Sequence, residues 1–305
     1  MINENRLRAA ARNFRAIFFQ ALEQNSARWR ELIDTFALEV TSVGDSENYN
    51  WLGAAPLMAE WTGERNLQDL AAYGNQIVNK SWANGIKVQK ETIDDDKLGL
   101  VRPRIIQIAE QYWYNRWVLV RDVITKGASV TTCYDGQYLL SASHSSGKSG
   151  TQSNLITDLL DADSYAKARQ YMRTFKNDVG QYMGLMGTHL VVCPALEAMG
   201  REILLAERNA LGATNVWRGT AELVVVEGFD QNDFNANKAW ALIDRSKPLK
   251  PVIDQIREAV VFAALEKPDD YNVFMNRWFG YGADYRGNAG AGLWQTIVAS
   301  DGSGT

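Results

Sequence analysis

The run of residues between Pro103 and Gly127 constrains the fold of this chain more than any other part of the sequence. Apolar side chains recur in it at three- and four-residue steps, the spacing that aligns them on one helical face; they are Ile106, Ala109, Trp113, Trp117, Val120 and Ile124. Proline suits the first turn of a helix, and glycine suits the position just past its end. We therefore predict a spine helix over about 103–126, roughly 35 Å long at about 1.5 Å per residue.

Length and charge limit what such a chain can be. Its 305 residues predict two domains or one large elaborated domain. Hydrophobic residues at 46% and charged residues at 22% are ordinary for a soluble globular protein. The net charge of −4 argues against a dedicated nucleic-acid-binding protein, which usually has a strongly basic domain. Any contact with nucleic acid should therefore be local.

Cysteine content and hydropathy indicate where the chain folds. Cys133 and Cys193 are the only cysteines, too few for a disulfide framework and compatible with a reducing cytoplasm. The N-terminus carries charges throughout and does not resemble a signal peptide. No stretch approaches the run of about 18 apolar residues that a membrane span needs. We expect synthesis and folding in the cytoplasm, without a membrane partner.

Residues 4–24 predict an amphipathic N-terminal helix with a basic stripe. Residues 1–30 contain six arginines and two glutamates, a charge of about +4 in an otherwise acidic chain. Two interpretations remain open for the stripe formed by Arg8, Arg12 and Arg15. It is either a solvated helix face or a surface that contacts nucleic acid or an acidic scaffold partner.

The segment that follows Tyr49 predicts a projecting arm. Trp51, Trp61 and Trp82 lie among glycines and charges, a mixture that suits neither a core strand nor a solvated loop. The stretches 61–70 and 73–82 can pair as a hairpin with its tip near residues 71–74.

The acidic run before the spine helix is a candidate metal site, but its spacing does not fit one. The acids Glu91, Asp94, Asp95 and Asp96 are adjacent, whereas a calcium loop needs alternating ligands and a glycine at its turn. Acids ahead of a helix start are favoured by its dipole, so we predict no metal site.

Cys133, Asp135 and His144 are the residue types of a thiol hydrolase. Asp-Gly before an apolar pair is more typical of a tight hairpin turn, and the Ser/Gly run 141–150 is typical of a flexible loop. We predict no catalytic residue and no cofactor, and expect Cys133→Ala and His144→Ala to leave assembly and particle yield near those of the wild type.

The next hundred residues predict a compact α/β domain. A helix capped by Asp163 or Ser164 continues in helical periodicity as far as Tyr182. Strand HLVV, helix ALEAMGREILLAER and strands ELVVV and AWALID follow. The tail, residues 252–300, is strand-like.

Several stretches together resemble one protein family. YNWLGAAPLMAEWTGER, NKSWANGIKV, ETIDDDKLG, CYDGQYLLSASH and RGNAGAGLWQ resemble, in order, the major head subunit of Mu-like bacteriophages and prophages. The resemblance implies an α+β chain with the Hong Kong 97-type capsid fold. The implied parts are an N-terminal helical arm (1–48), an extended loop (49–85), a peripheral domain with the spine helix (86–155), an axial α/β domain (156–247) and a second part of the peripheral domain (248–305).

The resemblance also implies a structural function. It predicts a major capsid protein, not an enzyme, that assembles in the bacterial host cytoplasm into the hexamers and pentamers of an icosahedral virion shell around double-stranded DNA. Its implied partners are further copies of itself, a portal, a scaffold or protease, and decoration proteins. Two alternatives stay open: an encapsulin-like cargo nanocompartment with the same fold, and a cytosolic Cys/His hydrolase.

Within the capsid hypothesis, large rings in the extended loop are best explained by burial against a neighbouring subunit. The candidate inter-subunit contacts are Trp51, Trp61, Arg65, Tyr73 and Trp82. Trp61 is the expected anchor, although packing inside its own subunit is the alternative. The candidates for the shell interior, facing DNA or scaffold, are Arg8, Arg12 and Arg15.

Overall fold

The computed structural model describes residues 4–49, 74–89, 91–92, 98–209, 212–265 and 270–304. Trp51, Trp61, Arg65 and Tyr73 lie outside these ranges, as do the first strand of the predicted hairpin and Asp94 to Asp96. The side chains of Arg8 and Arg12 also lie outside the described part.

The N-terminal region packs onto the rest of the subunit. Helices α1 (Glu4–Gln24) and α2 (Ser26–Phe36) lead into strand β1 (Ala37–Thr41) and the short strand β2 (Ser46–Asn48). Phe14 and Phe18 of α1 are fully buried in one core cluster with Phe262 and Tyr281. The helical prediction for residues 4–24 is confirmed, and the apolar stripe of α1 faces its own subunit.

A four-stranded sheet lies beneath the spine helix. Its order is β1, β9 (Val252–Leu265), β10 (Trp278–Ala291) and β4 (Lys80–Gln89). β1 runs parallel to β9, and the other neighbours are antiparallel, with Trp82 opposite Tyr285. β4 begins inside the range predicted as the extended loop, so the second half of that range includes a strand of this sheet.

The spine helix α3 spans Leu98–Thr125 and carries Pro103 inside it. The predicted start was wrong by five residues, because the proline occupies the sixth position and removes one main-chain hydrogen bond rather than marking the first turn. Gly127 follows the helix end as predicted. Glycine is required at position 127 because any Cβ there would lie only 2.6 Å from the carbonyl oxygen of Ile124.

A second sheet has the order β5 (Leu155–Ile156), β11 (Ile297–Ser300), β8 (Trp240–Ile243), β6 (His189–Val192) and β7 (Glu222–Val225). The predictions of β6, β7, β8 and the helix after β6, α5 (Glu197–Leu205), are confirmed. All four residues of β6, β8 and β11 are buried, so these strands form the middle of a core.

Helix α4 (Ala162–Thr174) packs against this second sheet, and both of its predicted ends need correction. Its N-cap is Asp161, whose side chain accepts a hydrogen bond from the Ser164 N–H. The Ser164 hydroxyl in turn accepts a hydrogen bond from the Asp161 N–H. The helix ends at Thr174 because Phe175 turns extended, so the apolar periodicity up to Tyr182 is not helical.

The tail contributes to both sheets. β9 and β10 are long strands of the first sheet, whereas β11 lies in the second. Residues 271–276, predicted as strand, form the short helix α6 (Tyr271–Asn276). None of the described helices has the length and continuous apolar character that crossing a bilayer requires.

Candidate functional site

The residues that flank segment 50–73, which we call its root, are held by main-chain and side-chain hydrogen bonds. β2 pairs antiparallel with β3 (Gln76–Val78), and the Tyr49 N–H donates to the Asn75 carbonyl oxygen at 2.9 Å. The two ends of segment 50–73, Tyr49 and Asn75, therefore lie next to each other.

A buried network of polar side chains holds this root on β9. The Tyr49 hydroxyl donates to Gln255 Oε1 at 2.7 Å, and Gln255 Nε2 donates to Asn79 Oδ1 at 2.7 Å. Asn79 Nδ2 in turn donates to the Ser42 hydroxyl at 2.8 Å. Burial raises the pKa of Tyr49 to about 12, so its phenol remains a donor at neutral pH. Because buried polar groups are costly unless paired, this network fixes the root in one arrangement.

Glu47 closes the turn that precedes β2. Its Oε1 accepts hydrogen bonds from the Val43 N–H at 2.8 Å, the Gly44 N–H at 3.1 Å and the Ser42 hydroxyl at 2.9 Å. These donors lower the pKa of Glu47 below its ordinary value. The ionised carboxylate of Glu47 therefore holds residues 42–44 in one conformation just before β2.

A buried ion pair ties the spine helix to the first sheet. The side chains of Arg116 and Asp254 are 3% and 4% exposed, and Arg116 Nε donates to Asp254 Oδ2 at 3.1 Å. Arg116 Nη2 also donates to Glu39 on β1 at 2.6 Å. Burial alone would lower the pKa of Arg116, but the charges of Asp254 and Tyr112 and the hydrogen bonds to Glu39 and Asp254 together raise it. The pair fixes α3 relative to β9 and β1.

Trp82, a predicted inter-subunit contact, lies partly inside its own subunit. Its ring is half-buried, and its indole N–H donates to the Gly287 carbonyl oxygen at 3.0 Å. The view that this ring is a poor candidate for the core of its own subunit was therefore incomplete. Its role toward a neighbour stays a prediction.

Arg15 is the one member of the predicted basic stripe whose side chain is described. It is exposed, and its Nη2 donates to the Phe262 carbonyl oxygen at 3.2 Å. The guanidinium therefore contacts the main chain of β9 near the end of the strand.

Cys133, Asp135 and His144, the residue types of a thiol hydrolase, have buried side chains that pack in the core. The Cys133 thiol is buried, lies 3.4 Å from the Gly292 carbonyl oxygen and has a pKa raised by burial. His144 Nδ1 lies 2.6 Å from Asp135 Oδ2, and its ring stacks on Trp294 at 4.0 Å. Because a reactive cysteine must be accessible and ionised, Cys133 is unsuited to nucleophilic attack.

The predicted tight turn is confirmed by the bond from the Cys133 N–H to the Gln137 carbonyl oxygen at 2.7 Å. The following Ser/Gly run is held by a bridge between His144 and Gln152. The expectation that His144→Ala is neutral needs correction, because the His144 and Asp135 side chains are both 0% exposed and each is the other's hydrogen-bond partner.

Metal-ligating residues do not converge in the described part of the chain. No group of three or more His, Cys, Asp or Glu side chains there is arranged to hold an ion. Glu91, from the acidic run, pairs instead with Arg277 at 3.0 Å.

A long helix packed along a sheet of long antiparallel strands, joined to a second α/β sheet, is the Hong Kong 97-type capsid fold. The solved procapsid of bacteriophage JBD30 shares it, with a TM-score of 0.62 and 24% identity over 98% of this chain and 76% of that one. A Microbacterium phage Oxtober96 structure superimposes with a TM-score of 0.53 and 17% identity, over 88% of this chain and 90% of that one.

The chain belongs to the Mu-like prophage major head subunit gpT family, whose model matches residues 7–159, 156–229 and 230–303. It is 29% identical over 268 residues to the Mu-like prophage FluMu major head subunit of Haemophilus influenzae, covering 87% of this chain and 65% of that relative's length. It is 24% identical to the major capsid protein of Escherichia phage Mu, over 97% of this chain and 73% of that protein.

Proposed function

We propose that this chain is a major capsid protein whose copies assemble into the hexamers and pentamers of an icosahedral phage head around double-stranded DNA. The observation that carries the proposal is the family match across residues 7–303 together with the Hong Kong 97-type fold.

The subunit has the mechanical properties that such a shell requires. A ring closes only when each copy presents the same heterologous contacts at a fixed angle. The Arg116–Asp254 pair and the network around Gln255 fix the spine helix and the root of segment 50–73 relative to the first sheet. Many modest contacts per subunit then give collective stability.

The function is structural rather than enzymatic. The buried thiol of Cys133 and the fully buried Asp135–His144 pair are core elements, which removes the support for a Cys/His hydrolase. The exposed Arg15 and the basic sequence of α1 suit the interior of the shell, where they would meet DNA or a scaffold.

The further partners are those of a phage head: a portal, a scaffold or protease, and decoration proteins on the outside. A solved capsid of bacteriophage JBD30 is decorated with minor capsid protein trimers, and it shares the fold of this chain at a TM-score of 0.51. Assembly would take place in the bacterial host cytoplasm, and the product would be the virion capsid. An encapsulin-like compartment would instead enclose protein cargo.

Negative-stain microscopy and analytical ultracentrifugation of the protein, expressed with the neighbouring head genes, test the proposal. We expect closed shells of uniform diameter that retain DNA when the packaging genes are present. Particles filled with a single host protein would indicate the nanocompartment, and a stable monomer with a reactive Cys133 would overturn the proposal.

A further inference from the structure

A small, partly open pocket lies within one subunit, between the spine helix and the first sheet. Its volume is about 130 Å³, and we call it the ring pocket. A cavity of about 150 Å³ holds one benzene molecule, whereas drug-sized ligands need pockets of about 300 Å³ or more. The ring pocket is therefore of the size that takes a single aromatic ring.

The walls of the ring pocket are largely aromatic and already ordered. Tyr112 on α3 and Tyr285 on β10 are both buried and meet edge to face, with ring centroids 4.9 Å apart. Trp82 on β4 is held by the hydrogen bond from its indole N–H to the Gly287 carbonyl oxygen, at 3.0 Å. Ordered walls lose little entropy when a pocket is filled, and a further ring packs favourably against aromatic faces and edges.

The remaining polar groups of the ring pocket are neutral. They include the amides of Asn84, Gln111 and Asn115, and the first two residues are exposed. No Asp, Glu, Lys, Arg or His is among the described residues that line the pocket. A charged molecule would lose hydration there without gaining a counter-charge. The lining therefore selects an uncharged ligand.

One hydroxyl in the wall is arranged to accept a hydrogen bond. The Tyr285 hydroxyl donates to Asn115 Oδ1 at 2.5 Å. Burial raises the pKa of Tyr285, so the phenol keeps its proton at neutral pH. Because that proton is committed to Asn115, the Tyr285 oxygen can still accept a hydrogen bond from a ligand.

We propose that the ring pocket binds a small, uncharged aromatic molecule with one ring and one hydroxyl group, the chemistry of phenol. The ring displaces water from the aromatic walls, which favours binding, and the hydroxyl donates to Tyr285. A molecule bound there contacts α3 and the first sheet together, so it stabilises their packing. This inference does not depend on the proposed shell function, because the whole pocket lies in one subunit.

Binding of phenol to unassembled full-length subunits tests the proposal. A titration followed by NMR of the phenol should show saturable binding of one molecule per chain. At a free concentration ten times the dissociation constant, phenol should raise the thermal midpoint by about 2 °C. Hydrogen exchange of the main chain should slow in α3 around residues 108–116 and remain unchanged in the second sheet.

Two further molecules test the selectivity that the lining predicts. Benzoate has the same ring but carries a charge, and 2-naphthol has the hydroxyl but two fused rings. We expect neither to bind as tightly as phenol. Equal binding of either one would show that charge or size is not selected and would overturn the proposal.

A conservative variant tests the role of the Tyr285 hydroxyl. Tyr285→Phe should weaken the binding of phenol about fivefold, as expected for the loss of one hydrogen bond. The same variant should leave the binding of toluene unchanged, because toluene has no hydroxyl. Tyr138→Phe, which alters an exposed tyrosine outside the pocket, should change neither. Equal weakening of phenol and toluene by Tyr285→Phe would refute the assigned hydrogen bond.

A blocking variant at an exposed position locates the site without changing the core. Gln111→Trp places a large ring at the edge of the pocket and should weaken phenol binding about tenfold or more. Gln107→Trp, about one turn earlier on the same helix and also exposed, should leave it unchanged. Undiminished binding to Gln111→Trp, or no saturable binding to the wild type, overturns the inference. Either result leaves the shell function standing, because shell formation is measured separately.

Discussion

Removing the charge of Arg116 should destabilise the subunit more than removing any other single charge that contacts the first sheet. The perturbation is Arg116→Met, which keeps a long apolar side chain but removes the cation. Asp254, whose side chain is 4% exposed, would keep its carboxylate in the core without its partner. Breaking a buried pair in this way commonly costs about 3–5 kcal/mol. The bond to Glu39 adds little, because the Glu39 side chain is 58% exposed.

Urea unfolding of unassembled subunits, followed by tryptophan fluorescence, measures the change in unfolding free energy at a constant m-value. A double variant, Arg116→Met with Asp254→Leu, should recover most of the loss because it removes both buried charges. Lys167→Met breaks an exposed pair with Asp158 at 2.6 Å and should cost less than about 1 kcal/mol.

Two results would refute the reasoning. One is a cost for Arg116→Met no larger than that of Lys167→Met. The other is a double variant as unstable as the single one, since that would show that packing rather than the isolated carboxylate causes the loss.

Cys133→Ala should leave the yield of shells counted by microscopy near that of the wild type, because the thiol has no chemical role. His144→Ala should lower the free energy of unfolding, measured by the same urea titration, by about 1–3 kcal/mol, because Asp135 loses its buried partner. The lowered pKa of Glu47 predicts stability that is present above pH 4.5 and lost as the pH falls through the folded-state pKa. The difference in thermal midpoint between wild type and Glu47→Gln should therefore shrink in acid, and a constant difference would contradict it. Changing Arg8, Arg12 and Arg15 together to Glu should impair assembly or DNA retention, while the circular dichroism spectrum of the subunit stays native. Normal DNA-filled particles would instead favour the interpretation that these arginines form a solvated helix face.

Sequence periodicity predicted the elements whose burial is strong and local. The spine helix is an example because its apolar side chains recur at helical spacing, and β6 and β8 are examples because each is a short continuous run of buried residues. It failed where a local signal had two meanings. Pro103 suits a first turn but lies in the sixth position, and residues 271–276 form a helix although they lead into a strand pattern.

The network around the root could not be predicted from local pattern. Gln255 lies 176 residues from Asn79 and 206 from Tyr49, and nothing in the neighbouring sequence of either marks the contact. Arg116 did carry a signal, because it is a charged residue between the apolar positions Trp113 and Trp117. Such a residue on a buried helix face predicts a partner, but it does not say that the partner is Asp254.

The position of β11 has a consequence for synthesis on the ribosome. β11 lies between β5 and β8, so the second sheet keeps an open edge at β8 until residues 297–300 have been made. At about 5–20 residues per second, the interval between β8 and β11 lasts roughly 3 to 11 seconds. During that time a fully apolar strand is exposed on the nascent chain. The edge of β8 that β11 occupies is covered only when β11 has been made and pairs with it.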